Sequence, residues 1–455
     1  MKNTLEPRSI TLGLGLILTA LCQAQQGNLQ GVAPATPLSF KVPPHALSAI
    51  SFSTEPNAQC TVAAPGSSDS GKHLRVFAND EGTVRFYASP SHESSSAAQL
   101  VATCSSGKQQ RIEIQSVAGA KPLVARATSN PETELRLGHT VRPALAGDPM
   151  ALSNQELVKR GYPMRPDQQQ SPGAYASWLK AVSKPATFIP PKTVNVEGHY
   201  HGPVKTAADI RIPDPIPGNT EASTNWSGYV LFGPSSPFDV IGGLWNVPAI
   251  VGGEEGTATN SYLMIGLDGE PGSGGTISDG TEQDVFVSDG ITYSNYYAWK
   301  HVCCQEEQVA FSNFSINPGD EIFSEVRIGD AYANSNPNGG YAYFMFEDIT
   351  AGEFTYFSTP LNGDTFTGRS AEWILGRYRN PDGSFPDLAD YWFAVMQNPF
   401  AYTADGTYVN YYSGGDDATT YQETMYNFNG YDYDTLSAVY AVDTNSLQFD
   451  WVNYH

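Results

Sequence analysis

From residue 221 to its end the chain is a succession of short aromatic and β-branched runs broken by Gly, Asn, Asp and Pro, among them "NWSGYVLFG", "VIGGLWNVPA", "NSYLMIGLDG", "TEQDVFVSDG", "ITYSNYYAWKH" and "SAEWILGRY". Helical periodicity is almost absent, so the core cannot be built from long helices. Many strands of this length separated by turn residues predict two antiparallel sheets packed face to face, a sandwich of jelly-roll or concanavalin type. The same texture on a smaller scale fills residues 27 to 118 ("LSFKV", "AISFST", "TVRFYA", "QLVATC", "RIEIQSV") and predicts a small immunoglobulin-like β-sandwich. The expected fold class is all-β, with an accessory domain over 27–118 and a larger domain over 221–455.

Charge divides the chain more sharply than its total does. Residues 221 to 455 hold 32 Asp and Glu against 5 Lys and Arg, whereas residues 1 to 220 hold 15 acidic and 20 basic side chains. An acidic surface of this density excludes nucleic acid as a partner of the second half. Self-repulsion among carboxylates is relieved when they take up protons, which predicts a domain built to work in acid. Between the two β regions, residues 121 to 218 are basic and proline-rich, with a Ser or Asn cap opening a short helix through Leu157 and a second helical piece, "GAYASWLKAVS". Such a segment ahead of an acidic domain suits a propeptide or linker that covers it.

The amino terminus carries Lys2 and Arg8 ahead of an apolar run from Ile10 to Leu21, with the small residue Ala24 placed for cleavage. This predicts a secretory signal over residues 1–24, too short to span a bilayer comfortably, and hence a secreted monomer with no membrane attachment after cleavage. Its removal takes Cys22 and leaves four cysteines, an even number suited to an oxidising compartment. Cys60 and Cys104 are the plausible bridge; the adjacent Cys303 and Cys304 stay open between a vicinal bridge, free thiols and other links. No CxxC or HExxH pattern accompanies them, so neither metal nor cofactor is expected.

Within "TGRSAEWILGRY" one acidic residue, Glu372, stands among apolar neighbours. A buried charge costs free energy unless it is paired, hydrogen-bonded or protonated, so Glu372 is either structural or chemical. Hydrolysis in acid needs a carboxylate base, because a histidine with its ordinary pKa of about 6.5 is already protonated there. Only His301 and His455 occur in the acidic domain, and no GxSxG elbow is present. A base also needs donors for the oxyanion. In "TEQDVFV" strand alternation puts Gln283 with Val285 and Val287, the one polar member of an apolar face, and a neutral amide keeps its donors at any pH.

Taken in order, "NWSGYV" (225–230), "IGLDG" (265–269), "TEQDVFV" with Gln283, "AW" (298–299), "DEI" (320–322) and "SAEWIL" (370–375) resemble the glutamic peptidases, or eqolisins. The resemblance covers about 221 to 455 and stops short of 27–118. It implies a β-sandwich acid endopeptidase acting on protein or peptide substrates, with Glu372 as the base that activates water and Gln283 as the partner that stabilises the tetrahedral intermediate. It also implies Trp226, Asp268 and Trp299 near the substrate cleft. Met264, where the family commonly has tryptophan, and Lys300 and His301 depart from the pattern. The competing reading of such a fold is a carbohydrate-binding protein or glycosidase, which needs a second carboxylate about 5 to 9.5 Å from Glu372. Asp268 in "LDGEPG" also fits a turn, and His199 and His201 in "GHYHG" fit either exposed side chains or a pH sensor in the covering segment. The expected precursor is cleaved in acid near residues 212 to 224.

Overall fold

The computed structural model describes residues 36–67, 73–123, 140–196, 198–202, 220–269, 276–302, 308–330, 336, 338–361, 366–412, 417–428 and 433–454. The signal stretch 1–24, the pair Cys303–Cys304 and most of the expected cleavage stretch fall outside them. Among the described residues no helix is long and apolar enough to cross a membrane, and the chain is almost entirely β.

Seven strands form the amino-terminal part: β1 (Leu38–Val42), β2 (Ser48–Ser53), β3 (Gln59–Ala63), β4 (Leu74–Phe77), β5 (Thr83–Pro90), β6 (Ala98–Cys104) and β7 (Gln109–Ser116). Five of them pair in the order β1-β7-β6-β3-β4. Cys60 and Cys104 stand opposite each other on β3 and β6 and are joined by a disulfide. This part does not stand alone. Its apolar core takes in Phe286, Ile291 and Tyr293 from the large domain, and β5 continues the large domain's sheet through Pro90↔Ile291 to Tyr87↔Ser294.

The middle segment contributes β8 (Thr140–Arg142), α1 (Asn154–Lys159), α2 (Pro172–Val182), β9 (Ala186–Phe188) and β10 (Thr193–Asn195). Both helices fall where the sequence places them. Ser153 caps α1 through the Glu156 amide while Glu156 reaches back, and Pro172 opens α2 where its missing N–H costs nothing. This segment lies on the large domain: β9 pairs with β20 and β10 with β17, and Arg142, buried, grips Glu347 at 2.7 and 2.8 Å.

The large domain runs through β11 (Thr220–Ser223), β12 (Trp226–Phe232), β13 (Phe238–Asn246), β14 (Ala258–Leu267), β15 (Ile277–Ser288), β16 (Ile291–Val302), β17 (Val309–Ser315), β18 (Glu321–Gly329), β19 (Tyr341–Asp348), β20 (Glu353–Pro360), β21 (Ser370–Gly376), β22 (Asp387–Leu388), β23 (Phe393–Thr403), β24 (Tyr408–Val409), β25 (Thr419–Phe428), β26 (Tyr433–Asp443) and β27 (Ser446–Trp451). One layer pairs in the order β17-β16-β15-β14-β21-β12-β25 and the other in the order β23-β13-β18-β19-β20, with β26 and β27 bridging them. Leu263, Ile265, Trp373 and Leu375 from the first layer meet Ile241, Trp245, Val326 and Phe346 from the second in one core, the two-sheet sandwich that the strand pattern predicts.

Carboxyl groups are buried in this sandwich. Asp279 accepts from Ser324 Oγ at 2.8 Å across the layers, and burial pushes it well above the ordinary aspartate range. Burial likewise lifts Glu325 to about 7, against the pull of Arg327. Asp348 is lifted to about 8 by burial and, next, by the charge of Asp320. Desolvation, more than the like-charge crowding suggested by composition, is therefore the leading cause. A carboxyl whose folded pKa is raised contributes stability below its unfolded value that is lost as pH rises through the folded one. The chain is expected to melt at least about 5 °C higher at pH 5 than at pH 8, as thermal unfolding by circular dichroism will read; an equal or higher melting point at pH 8 would contradict this.

Candidate active site

Strand β21 lies between β12 and β14, so Glu372 stands opposite Val230 on one side and Gly266 on the other. Gly266 is opposite Ser278 of β15, and Ser278 is opposite His301 of β16. Paired positions share a face. Glu372, Gly266, Ser278 and His301 therefore form a row across four strands, on the face turned away from the inter-sheet core. Glu372 is fully buried, and its Oε1 accepts a hydrogen bond from the Gly269 amide at 2.9 Å. A Cβ at Gly266 would lie 3.1 Å from Glu372 Oε2 and 3.3 Å from Ser278 Cβ. Both distances are tighter than ordinary contact, so glycine is what lets the carboxylate and the serine close in on either side of the strand. The Ser278 hydroxyl is buried with no hydrogen-bond partner among the described residues.

Gln283 is not in this row. It stands opposite Ser261, five positions along β14 from Gly266, and an odd offset places it on the other face. Its Oε1 accepts from Ser261 Oγ at 3.1 Å, and Val285 and Val287 beside it belong to the inter-sheet core. The expected Glu372–Gln283 dyad is thereby corrected. The alternation along "TEQDVFV" is as read, but its apolar face is the core face, and the site face belongs to Ser278, Gly280, Glu282 and Asp284.

Trp226 and Trp299, both buried, do lie on the site face in one aromatic cluster with Tyr262, Met264 and Ile374. The Trp226 ring edge crowds Gly269 together with the Glu372 carboxyl. Asp268 serves the loop instead: at φ 61° it accepts from the Thr367, Gly368 and Arg369 amides at 2.5, 3.1 and 2.8 Å. It shapes the chain entering β21 and positions Glu372 from behind.

Composition and spacing gave no hint of a second buried carboxylate on this face. Glu282 accepts from Asn260 Nδ2 at 2.8 Å on Oε1 and from Gln308 Nε2 at 2.9 Å on Oε2, with His199 Nδ1 2.8 Å from Oε1 and His201 Nε2 3.1 Å from Oε2. Burial disfavours its charge, yet the two imidazoles and the N–H groups aimed at it hold the carboxyl well below the ordinary glutamate range. Of the two histidines of "GHYHG", His201 is buried and the His199 side chain is 5% exposed, so neither ring stands in solvent. Asp284, on the same face, is raised to about 6 by burial and by the neighbouring Glu282 charge. His301 is lowered to about 3 by burial, then by His201 and Lys300. Ligand atoms of His199, Glu282 and Asp284 come within 4.8 Å of one another. That grouping is already saturated by imidazole and amide donors and faces the Arg75 guanidinium, a poor setting for a cation.

Residues 224–445 match the Peptidase A4 family. The carboxy-terminal half of the chain belongs to the glutamic peptidases. Among solved structures, scytalido-glutamic peptidase with a transition state analog inhibitor is 21% identical, covering 50% of this chain and 98% of its own, at a TM-score of 0.37. SCP-B, an eqolisin in complex with the tripeptide Ala-Ile-His, gives the same identity, coverage and score, and aspergilloglutamic peptidase from Aspergillus niger is 21% identical over 43% of this chain and 99% of its own, at 0.33. No curated protein matches. As a glutamic-type peptidase the chain acts on proteins or peptides.

Arg75 Nη1 lies 3.2 Å from His199 Nε2. An arginine only donates, so Nε2 accepts, and the His199 proton sits on Nδ1 facing Glu282. Nitrogen-15 spectra at pH 7 are expected to show His199 Nε2 unprotonated; a protonated Nε2 resonance there would contradict the arrangement.

Proposed function

We propose that the chain is the precursor of a secreted acid endopeptidase in which Glu372 is the general base and Ser278, not Gln283, completes the site. The observation that carries this reading is the placement of a buried carboxylate and a buried serine on either side of Gly266, the serine hydroxyl having no hydrogen-bond partner among the described residues. A water brought against Glu372 with the substrate gives a proton to the carboxylate as its oxygen adds to the scissile carbonyl carbon. The Ser278 O–H donates to the oxygen that becomes negative. Glu372 then passes the proton to the amide nitrogen, the C–N bond breaks, and the carboxylate is regenerated. The Gly269 amide holds Glu372 in register through both steps.

A serine nucleophile with His301 as its base is disfavoured, because among the described residues Ser278 Oγ and His301 Nδ1 are both without hydrogen-bond partners, and a buried imidazole near 3 is a weak base. Glu282 shares the face but stands opposite Tyr262, four positions along β14 from Gly266, roughly 13 Å away along the strand. That exceeds the separation of a glycosidase pair. The secretory signal and the cleavage near 212–224 rest on the sequence. The covering role of residues 121–218 is supported by the strand pairings of β9 and β10 and by the buried Arg142–Glu347 pair.

Cleavage of an unfolded protein by acid-treated chain is expected at pH 4 and absent at pH 7. Glu372→Gln should lower kcat by about 10² to 10⁴, and Ser278→Ala by about 10². Gln283→Met should stay within a few-fold of wild type. Cleavage that survives Ser278→Ala but is lost in folded Gln283→Met would overturn this site, and cleavage that survives Glu372→Gln would remove its base.

A further inference from the structure

We infer that residues 37–118 form a permanent second subunit of the large domain: when the chain is cut on both sides of residues 140–202, these strands stay bound to the sandwich without a covalent link. The surface that holds them is the end of β15 and β16 far from Ser278 and His301. The inference goes beyond the catalytic reading and rests on packing, so it stands or falls apart from the roles given to Glu372 and Ser278.

Strand β16 is incomplete without them. It pairs with β15 over its whole length, Ile291–Val302, but β17 pairs with it only from Tyr297 to Lys300. The remaining edge, Ile291 to Ser294, is taken by Tyr87 to Pro90 of β5. Left open, that edge would offer unpaired backbone groups to other chains. The turn between β15 and β16 extends the contact. Asp289 and Gly290 both adopt positive φ, 55° and 69°, as a two-residue Asp-Gly hairpin requires. Gly290 O accepts from Ser91 N at 2.9 Å and from Ser91 Oγ at 2.8 Å. A Cβ on Gly290 would lie 2.6 Å from His92 Cε1, so glycine permits this approach.

Side chains of the sandwich complete the amino-terminal core, which takes in Phe286, Ile291 and Tyr293. Tyr293 is fully buried, its ring centroid 6.3 Å from that of Phe86. Tyr296 and Tyr297 meet Tyr87 and Phe77 edge to face at 5.5 and 5.3 Å. Neutral groups supply the hydrogen bonds beside them: Tyr87 Oη donates to Asn317 Oδ1 at 2.6 Å, Ser312 Oγ to Asn57 Oδ1 at 2.9 Å, and Asn295 Nδ2 to Arg75 O at 2.8 Å. Ionisable groups stand at the margin, with Arg85 and Asp320 on Asn317, Glu255 on the Asp289 and Gly290 amides, His92 on Ser91, and Arg75 near Asp284. Rings and neutral donors hold irrespective of ionisation, so the contact persists in acid. Departure of the strands would bare Phe286, Ile291 and Tyr293 together, an apolar patch of the kind that marks a protein–protein contact.

The test uses full-length chain carrying Glu372→Gln, with a protease site inserted into each of the stretches 124–139 and 203–219 and an affinity tag ahead of residue 37. After both cuts, at pH 7 and at pH 4, the tagged piece is expected to retain the 220–455 piece in equimolar amount. The Ser91 amide should keep its protection from hydrogen exchange within about threefold of uncut chain at the same pH. A soluble 220–455 piece that leaves the tag would overturn the inference. Retention with Ser91 protection lost would overturn it too, because residues 140–202 would then be the tether. Tyr293→Ser opens the shared core and should speed separation of the cut pieces at least tenfold; a folded variant that separates at the wild-type rate would remove Tyr293 from the contact. If that variant does not fold, the wild-type pieces decide the matter alone.

Discussion

Everything at the site depends on the in-register pairing of β21 between β12 and β14. Backbone hydrogen bonds along this central strand fix Glu372 opposite Gly266, and through Gly266 opposite Ser278 and His301. A slip of one residue would send Glu372 into the inter-sheet core and Trp373 to the site face, because side chains alternate with a period of two. The register is held from both ends. Trp373, Ala371 and Leu375 fill the apolar core, and Asp268 binds three successive amides of the loop that leads into the strand. The placement of one carboxylate is thus a consequence of where its apolar neighbours must go.

A face that buries several ionisable groups has to satisfy them, and two solutions coexist here. Glu282 is kept ionised by the Asn260 and Gln308 amide donors and by the His199 and His201 rings of the preceding segment that lie against its two oxygens. Asp279, Glu325 and Asp348 are instead pushed toward their neutral forms by burial, a state that mild acid supplies without cost. The sandwich therefore suits acid. Arg142 against Glu347 belongs with the covering segment: burial lifts Glu347 to about 7 despite the guanidinium, so acid weakens that anchor.

The amino-terminal strands are more than an appendage. β5 extends the layer that carries the site through β16, and β4 supplies Arg75, whose guanidinium selects the His199 tautomer. Sequence texture separates residues 27–118 from the rest, yet the folded chain shares a core across that division. A motif search confined to the acidic domain could not find this contribution, since Arg75 and Glu282 are 207 positions apart in the chain and meet only through His199.

The sequence by itself determined the two-sheet sandwich and the short capped helices and singled out Cys60–Cys104 as a plausible bridge and Glu372 as a candidate, because each follows from local signals: run length, turn residues, caps, and a charge among apolar neighbours. It also determined that residues of opposite parity in "TEQDVFV" part to opposite faces. Which of those faces is the core was decided only by the tertiary structure. Gln283 beside two valines looked like a site residue on an apolar wall, but that wall packs against the second sheet, and the open face went to Ser278 and Glu282. Alternation fixes relative sidedness within a strand, while the side that faces a partner depends on contacts between strands far apart in the chain. For the same reason the burial of His199 and His201 was invisible beforehand: a histidine's environment is set by what folds over it, and here that is a carboxylate some eighty residues further along.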